Sequence, residues 1–352
     1  MEKLKKLVDR LYDSQHLEKT EYVALIENRD KIKDYLFSLS EKVREKHYGK
    51  DVYLRGLIEF TSYCKNNCYY CGIRASNKNA ERYRLSKEQI LECCEIGYNL
   101  DFRTFVLQGG EDPYFTDDVV CDIVREIKTR YPDCAVTLSI GEKSEEAYKS
   151  YFEAGADRYL LRHETANHEH YGKLHPSQLT AKKRQECLFT LKKIGFQTGA
   201  GFMVGSPYQT SEHLADDLLF LEKLKPEMVG IGPFIPHCAT PFADMPQGSA
   251  ELTLFMIALV RLILPTALLP ATTALGTINP SGRELALKVG ANFIMPNLSP
   301  VDVRSKYLLY NNKISTGEEA AECKKILVDK VTAAGYRVVK SRGDHASFTE
   351  RK

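Results

Sequence analysis

Short apolar runs alternate with longer segments of helical periodicity from residue 52 onward. Each run has the length of a strand, and each following segment repeats its apolar positions every three or four residues. The runs are VYLRGLIEF (52–60), TFVLQGG (104–110), AVTLSIG (135–141), RYLLRHET (158–165), QTGAGFMVG (197–205), MVGIGPFI (228–235), LPATTALG (269–276) and FIMPNLS (293–299). Eight strand–helix units without a break in composition predict one α/β domain, a (β/α)8 TIM barrel, with a doubly wound open sheet as the alternative.

The segments outside these units predict how the chain is organised around the barrel. Residues 1–50 carry amphipathic patterns, which we expect to form N-terminal helices that pack on the barrel of residues 51–300. Residues 301–352 are predicted to form a C-terminal closing segment, with one helix near 318–334 followed by a loosely held polar tail. We expect these three parts to make one structural domain.

Composition and charge narrow the classes of function. The formal net charge is +2 and no basic excess is present, so nothing indicates a nucleic-acid partner. One arginine and two prolines interrupt the most apolar stretch, residues 255–276, which favours a buried helix leading into a buried strand over a membrane span. The charged N-terminus does not resemble a signal peptide, and the ten cysteines favour metal binding or burial over disulfides, so we expect a cytoplasmic location.

Three of the cysteines, Cys64, Cys68 and Cys71, form a C-x3-C-x2-C triplet directly after the first predicted strand. Active sites of these barrels lie at the C-terminal ends of the strands, so we expect the triplet at that mouth. Structural zinc sites and ordinary iron–sulfur clusters take four protein ligands, but no fourth Cys or His lies nearby. A three-thiolate centre keeps one coordination position open, as catalysis at a metal requires, and a structural zinc site is the alternative.

The other cysteines are scattered along the predicted helices and strand ends. Most are typical of small buried apolar residues, whereas Cys238 follows the sixth strand at the expected mouth of the barrel. The triplet itself, with the aromatic Tyr70 before its last cysteine, resembles the radical S-adenosylmethionine superfamily. The resemblance implies one 4Fe–4S cluster whose fourth iron is bound by S-adenosylmethionine. Reductive cleavage of that cofactor would supply a 5′-deoxyadenosyl radical.

Charged residues at the ends of other strands are candidates for ligand binding. Glu111 follows two glycines in VLQGGEDP, where the superfamily places the methionine amino group, and a plain turn is the alternative. Arg162 and Glu164 share a face with Arg158 on the fourth strand, and we expect charges on that face to be tolerated only near the mouth. A surface ion pair is the alternative for Arg162 and Glu164, while Arg184 starts the next helix within reach of a ligand carboxylate.

The similarity extends over most of the barrel. The segments IEFTSYCKNNCYYCGIR, VLQGGEDPY, YLLRHETAN, MVGIGPFIPH, PATTALGTI and IMPN closely resemble the HydE family, the radical S-adenosylmethionine maturases of FeFe hydrogenase, over roughly residues 20–315. The resemblance implies a role in building the diiron centre of the hydrogenase H-cluster. It implies a cysteine-bound iron–carbonyl–cyanide substrate supplied by HydG, a product passed to HydF, and an external electron donor.

The same resemblance assigns roles to residues of this chain. Cys64, Cys68 and Cys71 would ligate the 4Fe–4S cluster. The residues expected to bind S-adenosylmethionine are Tyr70, Glu111, Glu164 and Arg184. The residues expected to line the substrate cavity are Gln108, Thr137, Arg162, Thr272, Thr273, Met295, Tyr307 and Tyr310. Some family members hold a second cluster after the eighth strand, where this chain has Cys323 alone, so no second cluster is predicted.

Other functions remain open at this point. A methylornithine synthase is a related barrel that needs groups for a lysine zwitterion. A biotin synthase needs further cysteines and an arginine inside the barrel for a second cluster. RHET and ATTALGT resemble HydE more closely than methylornithine synthase. A non-catalytic iron–sulfur scaffold would need the triplet but not Glu111, Glu164 and Arg184.

Overall fold

Strands and helices alternate along most of the chain, as the apolar runs predict. The computed structural model describes residues 1–314, 317 and 320–348. Its helices are α1 (Glu2–Ser14), α2 (Lys19–Glu27), α3 (Arg29–Tyr48), α4 (Lys87–Asn99), α5 (Asp117–Arg130), α6 (Glu145–Glu153), α7 (His168–Leu174), α8 (Ala181–Ile194), α9 (Ser211–Leu224), α10 (Ala250–Ile263), α11 (Thr273–Ile278), α12 (Gly282–Lys288), α13 (Val301–Arg304) and α14 (Ala320–Ala333). Its strands are β1 (Asp51–Leu54), β2 (Gly56–Thr61), β3 (Thr104–Gly109), β4 (Ala135–Ser139), β5 (Arg158–Leu160), β6 (Gln197–Ala200), β7 (Met203–Val204), β8 (Met228–Val229), β9 (Gly232–Pro233), β10 (Phe293–Ile294) and β11 (Arg337–Val339).

The parallel strands close into a barrel. Six of them form one parallel sheet in the order β2-β3-β4-β5-β6-β8. The seventh strand position is an extended segment in which Leu268 pairs with β8 and Pro270 pairs with β10. The eighth position consists of β10 and the residues after it, where Asn297 pairs with Leu57 of β2. The (β/α)8 barrel is therefore confirmed, and the open-sheet alternative is wrong.

The seventh apolar run differs from the predicted strand. Only its first residues are extended, because α11 begins at Thr273 and takes up the rest of ATTALG. The Thr272 hydroxyl accepts a hydrogen bond from the Leu275 backbone N–H at 3.3 Å, which caps the helix. The run therefore turns from strand to helix at the mouth of the barrel, where Thr272 still faces the interior cavity.

The N-terminal helices pack on the outer helices of the barrel. Helix α3 packs against α10, and α2 packs against α9. Helix α10 is buried from Thr253 to Ile263, including Arg261, whose guanidinium donates to the carbonyl of Gly290 at 2.7 and 3.0 Å. These hydrogen bonds explain an arginine within an apolar helix. In the part of the chain that the structure describes, no helix is long and apolar enough to span a bilayer.

The C-terminal tail closes the lower end of the barrel, so the expectation of a loosely held tail is wrong for residues 337–348. Strand β11 pairs with β1, and the Arg342 carbonyl after it accepts a hydrogen bond from the Thr104 hydroxyl at the start of β3, at 2.7 Å. Asp344 contacts Arg158 at 2.5 Å and Arg342 at 2.7 Å, and Arg342 contacts Asp157 at 3.0 Å. Arg158 is fully buried, which also corrects the expectation that charges on its face lie only near the mouth. Asp344 of the tail supplies the negative charge that the buried guanidinium of Arg158 requires.

Candidate active site

The loop of residues 62–74 carries the cysteine triplet and follows β2 at the C-terminal mouth of the barrel. The loop donates backbone hydrogen bonds to three other segments: Lys65 N–H to the Glu111 carbonyl (2.9 Å), Tyr69 N–H to the Leu174 carbonyl (3.0 Å) and Gly72 N–H to the Leu309 carbonyl (2.9 Å). A Cβ atom added at Gly110 would lie 2.2 Å from the Tyr63 carbonyl oxygen. The two-glycine segment after β3 therefore lets the cysteine loop pack directly on it.

The three cysteines of the loop are half-buried and their thiols influence one another. Burial raises the pKa of Cys64 and raises that of Cys68 to about 12. Burial also raises the pKa of Cys71, and the neighbouring Cys68 and Cys64 raise it further. A bound metal centre would reverse this preference, because its positive charge stabilises the thiolate form.

The thiols of the cysteine loop are the candidate ligands of a metal centre. Among the described residues, no three His, Cys, Asp or Glu side chains converge closely enough to hold a single metal ion. A 4Fe–4S cube binds its thiolates at separate corners, so its ligands stand further apart than the ligands of one ion. A 4Fe–4S cluster takes Cys thiolates as its ligands, and this loop offers three of them.

A cavity of about 290 Å³ opens beside the cysteine loop, inside the mouth of the barrel. Its polar and sulfur-bearing walls include Tyr70, Cys71, Gln108, Ser139, Arg162, Glu164, Arg184, Thr272, Tyr307 and Tyr310. Cavities of a few hundred Å³ with a few convergent polar groups are typical of small-molecule sites. The structure thus brings eight of the predicted binding residues to one cavity that Cys71 also lines.

Arg162 and Glu164 lie where β5 ends, and both face this cavity. Their side chains form an ion pair at 3.0 Å. Glu164 adopts a left-handed backbone with φ of +64°, which costs a non-glycine residue about 1–2 kcal/mol. Backbone hydrogen bonds compensate, with Glu164 N–H donating to Gly201 at 3.0 Å and its carbonyl accepting from Met203 at 3.2 Å. The two charges pair with each other and are still directed at the cavity.

His163, between these two residues, is buried on the opposite face. Its Nδ1 accepts a hydrogen bond from Gly201 N–H at 3.2 Å, so the proton lies on Nε2, which faces Asp217 Oδ1 at 3.3 Å. Burial lowers the pKa of His163 to about 3 and raises that of Asp217. The imidazole is therefore neutral and supports the strand end on which Arg162 and Glu164 lie.

Tyr70 is anchored by a histidine that the sequence did not single out. Its hydroxyl lies 3.1 Å from Nε2 of His175, whose Nδ1 lies 3.0 Å from the Tyr171 carbonyl. Because a carbonyl only accepts, Nδ1 carries the proton and Nε2 accepts from the Tyr70 hydroxyl. Burial lowers the pKa of His175 to about 3, which keeps the ring neutral. This contact holds the Tyr70 ring at the cavity wall.

Glu111 lies behind the cavity wall and is not among the residues that line the cavity. Its Oε1 accepts from the Glu142 backbone N–H at 3.0 Å, and its Oε2 lies 3.3 Å from Lys65 Nζ. A Cβ atom at Gly141, where φ is +78°, would lie 2.2 Å from the Glu111 side chain. Gly141 and Glu142 were missed from the sequence, although they directly follow a barrel strand, the position where sites of this fold lie.

The remaining predicted cavity residues lie apart from the main cavity. Thr137 is buried inside the barrel, and its hydroxyl has no hydrogen-bond partner among the described residues. Thr273 and Met295 line a separate small cavity of about 10 Å³ together with Lys313. Lys313 itself forms a buried ion pair with Glu59 at 2.6 Å, which fastens the closing segment to β2.

Some buried charged groups at this site have few partners within the protein. Within the described residues, Arg162 Nε has no hydrogen-bond partner, Arg162 Nη2 and Glu164 Oε2 face only each other at 3.0 Å, and Arg184 Nε faces only Glu142 Oε1 at 2.7 Å. Such groups are rare in folded proteins, because leaving one unpaired costs about 1–3 kcal/mol. A ligand with amino, carboxylate and hydroxyl groups would satisfy them. The donor set therefore fits a cluster on the cysteine loop and S-adenosylmethionine beside it.

Sequence comparison agrees with the geometry of the site. Residues 58–221 match the sequence model of the Radical SAM superfamily. With the barrel and the three-cysteine loop at its mouth, this match defines the chain as a radical S-adenosylmethionine enzyme. The class implies a 4Fe–4S cluster and S-adenosylmethionine as cofactors.

Comparison with individual proteins shows which family of radical S-adenosylmethionine enzymes the chain belongs to. The chain is 51% identical over 288 residues to the FeFe hydrogenase maturase subunit HydE of Thermotoga maritima, covering 82% of each chain. The chain belongs to the HydE family. It is also 31% identical over 269 residues to the 3-methylornithine synthase of Methanosarcina acetivorans, covering 76% and 75% of the two chains. A crystal structure of methylornithine synthase is similar with a TM-score of 0.81 at 26% identity, covering 95% of this chain and 97% of that one.

Proposed function

We propose that this chain acts in the maturation of FeFe hydrogenase, in the assembly of the diiron centre of its H-cluster. The observation that carries the proposal is one cavity in which Cys71 of the triplet meets Arg162, Glu164 and Arg184. The 51% identity to a HydE maturase supports the same reading. The substrate is a small cysteine-bound iron–carbonyl–cyanide complex, in keeping with a cavity of about 290 Å³.

The cofactors are assigned to the residues at the mouth. Cys64, Cys68 and Cys71 hold the single 4Fe–4S cluster. Tyr70, Glu164 and Arg184 contact S-adenosylmethionine, and Glu111, which was expected to bind it with them, supports this site. When bound, this pair would supply a 5′-deoxyadenosyl radical, with methionine as the other product and the one electron taken from the external donor. Glu111 acts from behind the wall, through its contacts with Lys65 and Glu142, because its side chain does not reach the cavity surface.

The substrate occupies the inner part of the cavity. The residues of this cavity that contact it are Gln108, Arg162, Thr272, Tyr307 and Tyr310, whereas Thr137, Thr273 and Met295, which were also expected to line the substrate cavity, lie apart from it. Arg162 binds the anionic complex, since a guanidinium pairs with carboxylate or cyanide. Tyr307 and Tyr310 also line the cavity, so the closing segment forms part of the substrate site.

A second cluster is not part of the proposal. Cys323 is the one cysteine in the sequence after residue 300, and its side chain is buried in α14. One thiolate cannot hold a cluster. We further propose a cytoplasmic protein organised as residues 1–50, 51–300 and 301–352, working with HydG, HydF and an external electron donor.

Methylornithine synthesis is the second candidate, because the overall fold is similar to that enzyme over nearly its full length. In that case the cavity would hold a lysine zwitterion, and Arg162 would bind its carboxylate. The two candidates therefore differ in substrate and share the site of S-adenosylmethionine.

Restoration of hydrogenase maturation tests the proposal. In an anaerobic assay that contains HydF, HydG and apo-hydrogenase but no HydE, addition of this chain should restore hydrogen production. The variant Arg162→Met should restore little, whereas Arg10→Met, which changes an arginine of α1 that does not line the cavity, should act as the wild type. No restoration by a cluster-loaded wild type, together with conversion of lysine to methylornithine, would favour the second candidate.

A further inference from the structure

Glu142 joins two residues that are predicted to bind S-adenosylmethionine, although it does not itself line the cavity. Its Oε1 lies 2.7 Å from Arg184 Nε. Its backbone N–H donates to Glu111 Oε1 at 3.0 Å. A single residue after β4 therefore contacts both the guanidinium from α8 and the carboxylate that follows β3.

Arg184 needs a counter-charge where it lies. It is the fourth residue of α8, and the first turn of that helix has no acidic side chain and contains Lys182 and Lys183. A helix N-terminus carries partial positive charge, so a cation near it is unfavourable. The Arg184 and Glu142 side chains are only 10% and 6% exposed, and a buried guanidinium requires a paired carboxylate.

Glu142 and Arg184 differ in their position relative to the cavity. Arg184 lines the cavity and Glu142 does not, so the Glu142 carboxylate contacts the guanidinium from outside the cavity. A second contact, from Arg184 Nη1 to the Arg162 carbonyl at 3.3 Å, holds the other side of the guanidinium. The orientation of Arg184 is thus set by groups behind it and beside it.

We propose that Glu142 is a positioning residue for S-adenosylmethionine, which holds Arg184 and Glu111 in the arrangement that binds the cofactor. The inference rests on the proposed function, which places the cofactor in this cavity. The competing explanation is an ion pair that only fastens β4 to α8. Such a pair would affect folding and leave the affinity for the cofactor unchanged.

Equilibrium binding separates the two explanations without turnover. S-adenosylmethionine is titrated into the cluster-loaded, oxidised protein by calorimetry, for wild type and Glu142→Gln. We expect the variant to bind the cofactor about tenfold more weakly or worse, as for a lost charge-assisted contact. Wild type that binds no cofactor would overturn the proposed function, whereas a variant that binds as tightly as wild type would overturn the role of Glu142 alone.

Glu227 provides a matched control. Its carboxylate also pairs with a basic side chain, that of Lys192, and accepts from a backbone N–H, that of Thr198 at 2.8 Å. Glu227 contacts Lys192 and Thr198, which are not predicted to bind the cofactor, so Glu227→Gln should bind it within about twofold of wild type. Equal weakening by both variants would show a general effect of removing a buried carboxylate and would overturn the proposal.

A double-mutant cycle tests whether Glu142 acts through Arg184. In an Arg184→Met background the further change Glu142→Gln should weaken binding by less than about twofold, because the positioned group is already gone. A full tenfold effect in that background would contradict the proposal. If Glu142→Gln does not fold, Glu142→Asp takes its place, because the shorter side chain keeps the negative charge but moves it away from Arg184. Weaker binding of the cofactor by Glu142→Asp would then support the proposal, and unchanged binding would overturn it.

Discussion

Cys64, Cys68 and Cys71 differ from the other cysteines of the chain in where they lie. They are half-buried on a loop at the barrel mouth, whereas Cys93, Cys94, Cys121, Cys134, Cys187 and Cys323 are buried in helices and strand ends, and Cys238 is exposed. Their spacing is local, so the sequence alone was enough to predict a shared site. The pKa values of their thiols are raised, which favours the protonated form until a metal centre binds.

Replacement of one cysteine of the triplet should remove the cluster. After anaerobic reconstitution we expect Cys68→Ala to retain far fewer than the about four irons per chain of a single cluster. The matched control is Cys238→Ala, which also removes a thiol near the mouth and should leave the iron content unchanged. Iron analysis and visible absorbance measure both. A Cys68→Ala protein with the iron content of wild type would show that the ligands are other residues.

Other residues of the site differ in whether the sequence alone could predict them. Arg162 and Glu164 were predicted together, because alternate residues of one strand face the same side. His175 was missed because its partner, Tyr70, lies 105 residues away in the chain. Glu142 was missed because its acidic side chain gains a role only from Arg184, which a different helix supplies.

Among the elements, the C-terminal tail departs most from its sequence pattern. RGDH is typical of an exposed loop, yet its Arg342 and Asp344 meet Asp157 and Arg158 at the lower end of the barrel. A buried arginine on β5 and a polar tail are each unfavourable alone and become favourable together. Such a pairing between distant segments leaves no mark in local periodicity, so it could not be predicted from either segment.

Asp344 should stabilise the fold in a pH-dependent way. Burial alone would raise the pKa of Asp344, but Arg158 and Arg342 outweigh it and lower the pKa to about 2. A lowered pKa stabilises the fold above the unfolded-state value near 4, and this contribution is lost as the pH falls towards about 2. We expect Asp344→Asn to lower the free energy of unfolding by about 2–3 kcal/mol at pH 7.

Urea denaturation across this pH range measures the effect. The difference between wild type and Asp344→Asn should shrink steadily below about pH 4. The control Asp329→Asn changes an exposed aspartate of α14 and should alter the unfolding free energy by at most about 0.5 kcal/mol. A difference between wild type and Asp344→Asn that stays constant with pH would show that the Asp344 carboxylate is not the stabilising group.

For the whole molecule, the periodicity of the chain predicted the barrel and the end of it that carries chemistry. Several predicted strands are short or interrupted in the structure. The fourth is the three-residue β5, the fifth and sixth are each split in two (β6 and β7, β8 and β9), the seventh position consists of single bridges, and β10 has two residues. These lengths depend on what each segment meets across the barrel, which local pattern does not encode. The closing segment likewise depends on a distant contact, the buried pair of Lys313 and Glu59.

The cysteine loop, the charged strand ends and the closing segment meet around one cavity at the mouth of the barrel. Reductive cleavage of S-adenosylmethionine is the most direct test that this cavity works as proposed. With a strong reductant, the reconstituted wild type should release 5′-deoxyadenosine, measured by chromatography, and Cys68→Ala should release none. A wild type that carries the cluster and still yields no 5′-deoxyadenosine would contradict the assignment of the site.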